Sequence, residues 1–106
     1  MIEDCLADQR PCPALALSEK AWKHIRERHP EVSRYRVSVV EVASRPQAIL
    51  KGQHGELKAI RFLGATHLGP KYLVVVYRER KRKKDIITAY FTSDLKKVKG
   101  EAVWRA

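Results

Sequence analysis

Two strand-like runs close together limit what this chain can fold into. Residues 72–78 (YLVVVYR) and 86–92 (IITAYFT) are rich in β-branched and aromatic side chains, and only residues 79–85 separate them. So short a link makes them an antiparallel hairpin. Pairing Tyr77 with Ile87 centres the turn on Arg82 and sorts the faces by the period of two. Leu73, Val75 and Tyr77 then share a core face with Phe91, Ala89 and Ile87. Tyr72, Val74 and Val76 share the other with Thr92, Tyr90 and Thr88. A third run, 57–63 (LKAIRFL), alternates as well. Laid beside the hairpin with Ile60 and Phe62 toward the core, it sends Arg61 to the face of Thr88 and Tyr90. Residues 48–50 make a short strand before Lys51-Gly52.

Helices precede the strands. Ser18 is placed to cap a helix, Glu19 suits its first turn, and Ala21, Trp22 and Ile25 form one stripe. Pro30 ends it, because the residue before a proline is pushed out of helical geometry. The spacing of Val37, Val39 and Val40 within 32–44 suggests a second helix, with Ser33 as cap and Pro46 beyond its end. Two helices followed by a run of strands indicate an α+β domain, with helices on one side of an antiparallel sheet and the other side partly bare.

The chain of 106 residues fits one domain, assigned to 14–106 after a proline-bearing arm at 1–13. Its net charge of +10 is unevenly spread. The arm carries −2, the stretch from Arg78 to Lys84 carries +5, and that from Lys96 to Arg105 carries +3. Six like charges within seven residues (Arg78, Arg80, Lys81, Arg82, Lys83, Lys84) exceed what a solvated turn needs. Such density draws anions, nucleic acid foremost, with an anionic membrane surface or an acidic protein as alternatives. No apolar run approaches the ~18 residues of a membrane span, and the acidic start is unlike a secretory signal, so the cytoplasm is the default expectation. Cys5 and Cys12 form neither a disulfide framework nor a zinc set, and read as reduced thiols.

No nucleotide-binding, zinc-protease or serine-hydrolase motif is present. Carboxylates are scarce after Glu31 and form no evident pair, which argues against a magnesium site, and no cofactor is expected. Histidine, arginine, lysine, threonine and tyrosine remain. That set suits RNA cleavage without metal, in which the ribose 2′-hydroxyl attacks the adjacent phosphate. Histidine moves protons near neutral pH, and arginine or lysine stabilises the phosphorane. "WKHIRERHPEV" supplies His24, Arg28 and His29. Each also has a plainer explanation: His24 as a solvated helix flank, His29 as a helix end, Arg61 as a partner of a nearby acid, Thr88 and Tyr90 as ordinary strand residues. His54 and His67 sit in glycine-bearing loops and read as surface residues.

The segments "HIRERHPEV", "SRPQAIL", "KYLVVVYRE" and "DIITAYFTSDLKKVKGEAVW" together resemble the small phage and toxin nucleases of the barnase–EndoU–colicin–RelE (BECR) superfamily, over residues 21–104. The resemblance implies helices packed on a curved, mainly antiparallel four-stranded sheet. It also implies metal-independent ribonuclease chemistry on the exposed sheet face, often in toxin or phage settings. His24 and His29 match the histidine-helix motif, and Thr88 and Tyr90 the "TAY" strand. Arg61 joins them from the face assignment alone. The expected catalytic set is therefore His24, His29, Arg61, Thr88 and Tyr90, with His24 the preferred base or acid. Arg28, Arg78, Arg80, Lys81, Arg82, Lys83, Lys84, Lys96 and Lys97 would follow the backbone of single-stranded RNA. The alternatives are a nucleic-acid-binding module without chemistry, and a toxin-like domain held by an acidic antitoxin or immunity protein.

Overall fold

A computed structural model describes residues 14–106; the arm at 1–13, with both cysteines, lies outside the described residues. The chain runs β1 (Ala14–Ala16), α1 (Glu19–Arg28), a 3₁₀ turn (Pro30–Val32), α2 (Arg36–Ser44), β2 (Ala48–Lys51), β3 (Leu57–Thr66), β4 (Gly69–Arg80), β5 (Lys83–Thr92), a second 3₁₀ turn (Leu95–Lys97) and β6 (Glu101–Arg105). The strands form one sheet in the order β1-β5-β4-β3-β2-β6, with only the β1–β5 pair parallel.

The α+β class is as expected, but the sheet has six strands and is mixed, where four antiparallel ones were anticipated. Both additions come from long-range pairing. Ala14–Ala16 has no strand propensity of its own and is extended because it lies along Lys83–Asp85. β6 is exposed at every residue, so no alternating apolar pattern marks it, and its pairing with β2 holds it.

The β4–β5 hairpin closes through a two-residue turn. Arg80 faces Lys83, while Lys81 (φ 47°) and Arg82 (φ 63°) both have positive φ, the type I′ geometry that suits twisted strands. Neither residue is the usual Asn or Gly, so the turn carries strain on the order of 1 kcal/mol per residue. Leu73 faces Phe91 and Val75 faces Ala89, as anticipated. A register shift then pairs Tyr77 with Ile86, so Ile86 enters the core and the adjacent Ile87 is 38% exposed.

Ser18 Oγ accepts the Ala21 N–H at 3.0 Å and starts α1, which buries Trp22 and Ile25. α2 buries Val39, Val42 and Ala43 and turns Val37 outward at 79% exposure, correcting its expected inward placement. These helical residues pack on Leu73, Val75, Tyr77, Ile86 and the small residues Ala59 and Ala89. Each large apolar side chain so buried contributes roughly 1.5–3 kcal/mol.

Ala59 on the helix side fixes the phase of β3, and the phase is opposite to expectation. Ile60 faces Val74 and Phe62 faces Tyr72, so both lie on the face away from the helices, while Arg61 faces Leu73 on the helix side. The space under the helices takes an alanine, and the bulkier Ile60 fills the far face.

That far face is not bare. Residues 93–100 cross it from the end of β5 to the start of β6. Val98, 7% exposed, closes over Ile60, Val74 and Val76, beside Leu50, Tyr72 and Tyr90. Lys58 Nζ donates to the Lys99 carbonyl at 2.6 Å. The crossing ends at Gly100 (φ 145°), where a Cβ would stand 2.9 Å from the Lys51 carbonyl oxygen, so glycine permits the close approach.

Candidate active site at the edge of the sheet

His29 sits where α1 stops. Preceding Pro30, it leaves helical geometry (φ −134°, ψ 70°) while its N–H still donates to the Ile25 carbonyl at 2.7 Å. The 3₁₀ turn that follows packs against β5. β1 pairs only with Lys83–Asp85, so among the described residues the C-terminal half of β5 is a free edge. The His29 ring reaches around that edge to Tyr90, with centroids 5.8 Å apart and planes tilted by 37°. Its Nδ1 lies 3.7 Å from Glu31 Oε2, longer than a hydrogen bond and an ion pair only when the imidazole is protonated. Both side chains keep about a third of their surface in water (33% and 32%). Burial pushes the Tyr90 phenol above its usual range and keeps it protonated.

Glu31 also borders an open cleft of about 500 Å³, shared with Lys71, Phe91, Thr92, Asp94 and Lys97. Its walls are organised by hydrogen bonds. The Asp94 carboxylate accepts the Lys96 N–H at 2.9 Å and starts the second 3₁₀ turn. Thr92 Oγ1 accepts the Asp94 N–H at 3.2 Å, and Lys71 Nζ donates to Ser93 Oγ at 2.5 Å. Nearby, the Tyr35 hydroxyl accepts the His67 backbone N–H at 3.0 Å and shares a second hydrogen bond with His67 Nδ1 at 2.9 Å. Tyr35 also meets Phe91 edge-on, at 5.1 Å between centroids. His67, read from sequence as a plain loop residue, thus joins the β3–β4 turn to α2's entry. Only its tertiary partner reveals that role.

The structure brings His29 and Tyr90 together but does not gather the rest of the expected catalytic set. His24 is exposed on α1's outer flank, turned away from Trp22 and Ile25, and Arg28 shares that flank. Arg61 is on the opposite face of the sheet from Tyr90, where its guanidinium donates to the Arg45 carbonyl at 2.9 Å. Thr88 is on Tyr90's face, yet its Oγ1 is sealed from solvent with no hydrogen-bond partner. The face expected to receive a phosphate at mid-sheet is occupied by aliphatic side chains under Val98.

The basic turn divides into two groups. Lys84 Nζ folds inward, donating to the Ala43 carbonyl at 3.1 Å and lying 5.1 Å from the Tyr77 ring centroid; burial lowers its proton affinity. Arg78 donates to the His54 carbonyl at 2.9 Å, and Lys83 lies 3.7 Å from Asp85. Arg80, Lys81 and Arg82 make no ion pair or side-chain hydrogen bond among the described residues, and all are exposed. Lys96 and Lys97 are exposed on the crossing segment. Val74, opposite Tyr90, is six residues from Arg80 along β4, so the tip lies roughly 20 Å from the His29–Tyr90 pair. Among the described residues no three His, Cys, Asp or Glu side chains form a metal-ligand group, and no helix is long and apolar enough to cross a membrane.

No family model, no curated protein and no solved structure matches this chain.

Proposed function

We propose that the protein is a metal-independent endoribonuclease-like protein whose chemistry is centred on His29. The observation that carries this reading is an imidazole with a third of its surface in water, 3.7 Å from a carboxylate and 5.8 Å from a half-buried phenol ring, beside a lysine-bearing cleft. With Glu31 on the Nδ1 side, Nε2 is the nitrogen left for substrate. It takes the 2′-hydroxyl proton as O2′ bonds to phosphorus. The bond from phosphorus to O5′ breaks, and that oxygen leaves with a proton supplied by water. Tyr90, kept protonated by burial, donates to the phosphate, and Lys97 offsets the charge of the phosphorane.

The test is product analysis on single-stranded RNA with chelator present. This reading expects ends carrying a 2′,3′-cyclic or 3′-phosphate. Intact strands at every protein concentration would refute it. A second reading, binding without chemistry, is favoured by Arg80, Lys81 and Arg82 at the tip, which are exposed and unpaired among the described residues. It expects salt-sensitive binding of a strand that stays whole.

A further inference from the structure

On the face of the sheet away from the helices, rings stand in file from the β5 edge inward. His29 meets Tyr90 at 5.8 Å between centroids. Tyr90 is two residues from Thr92, which faces Tyr72, so Tyr90 and Tyr72 are diagonal neighbours roughly 7–8 Å apart. Tyr72 in turn meets the ring of Phe62 at 5.1 Å and 60°. The file ends on an aromatic side chain with 44% of its surface in water, although Ile60, on the same strand and face, is 4% exposed beneath the crossing segment. Val98 covers Ile60, Val74 and Val76 but leaves Phe62 open. The crossing segment also carries the exposed Lys96 and Lys97 over this face.

An exposed Phe62 ring on a half-buried Tyr72, diagonal to the tyrosine that meets an imidazole and on a face crossed by cations, suits one class of occupant. We propose that Phe62 and Tyr72 form a stacking platform for the bases of single-stranded RNA whose phosphate lies at His29; the identity of the ligand rests on the proposed function above. Unpaired bases offer their faces to aromatic side chains, whereas bases within a duplex are already stacked. The platform therefore selects single strands. A second copy of the chain is a poor occupant, because each carries a net charge of +10 and lysines cross this face.

The test measures binding of a 2′-fluoro oligonucleotide, which lacks the attacking hydroxyl, to the full chain and to Phe62→Leu and Phe62→Trp. Leucine keeps an apolar cover without a ring. Phe62→Leu should weaken single-strand binding roughly tenfold or more, and Phe62→Trp should retain it. An abasic strand should bind the native protein as weakly as the intact strand binds Phe62→Leu, with no further loss in that variant. Equal affinity of native protein and Phe62→Leu would overturn the proposal. So would equal losses on abasic and intact strands, or a Phe62→Leu change from dimer to monomer by sedimentation. Because this strand cannot be cut, base-dependent binding by a protein that leaves ordinary RNA whole would support the platform and refute only the ribonuclease reading. Failure to bind any oligonucleotide would refute both.

Discussion

Only half of the basic turn is available to a polyanion, and that gives a number. Arg80, Lys81 and Arg82 are unpaired among the described residues, whereas Arg78, Lys83 and Lys84 are engaged. Replacing Lys81-Arg82 with Asn-Gly suits the positive φ at both positions and relieves strain, and Arg80→Thr suits a strand end. The triple variant should fold at least as stably as the native protein. Each phosphate contact on a single strand contributes about 0.7 to the slope of log K against log salt. Losing three such contacts should flatten the slope by about 2, which removes roughly 20-fold of the affinity change between about 50 and 200 mM salt. Fluorescence anisotropy with a labelled oligoribonucleotide over that range reads the slope. Lys84→Ser is the control. It should lower stability, by exposing the Ala43 carbonyl contact and the Tyr77 ring, and leave the slope within about 0.3 of native. A triple variant with an unchanged slope, or a Lys84→Ser slope reduced as much as the triple variant's, would refute the division of the cluster.

Tyr77 makes stability depend on alkaline pH. Burial first, and the Glu79 charge second, raise its phenol from 10.0 to about 12. The native state then keeps a proton that the unfolded chain loses, so its stabilisation is complete below about pH 10 and falls away toward about pH 12. Urea unfolding at about pH 11.5 should show a loss of about 2 kcal/mol relative to pH 9 that Tyr77→Phe escapes; equal losses in both would refute this. Lys84, with its proton affinity lowered by burial, works the other way, gaining stability as pH rises toward 10.5, and it is present in both proteins. Thr88→Val removes a sealed hydroxyl that has no partner, so it should raise stability by about 1 kcal/mol and leave cleavage intact; a loss of cleavage would restore Thr88 to the site.

What the sequence disclosed was local. Ser18 before its helix, Pro30 after it, and the alternation of 72–78 and 86–92 each act within a few residues, and each appears in the fold. The misplaced features depend on contacts distant in sequence. β1 and β6 are strands because of their partners, and the bulge that puts Ile86 inside belongs to the pairing of β4 with β5. The phase of β3 turned on whether Ala59 or Ile60 would lie beneath the helices, and alternation within LKAIRFL does not decide that. Its reversal carried Arg61 away from Tyr90. The crossing by 93–100 closed the face that was to hold phosphate. One signal was present in the sequence: Trp22, Ile25 and His29 follow a spacing of three and four, so the inward stripe leads to His29, while His24 falls off it.

The central claim is that any chemistry belongs to His29 at the edge of β5. Its most direct measure is the kcat/KM for a single-stranded oligoribonucleotide in chelator, determined for the native protein, His29→Ala and His24→Ala. Cleavage should fall by roughly 100-fold or more in His29→Ala and stay within about twofold of native in His24→Ala. Loss in His24→Ala with His29→Ala still active would contradict the account.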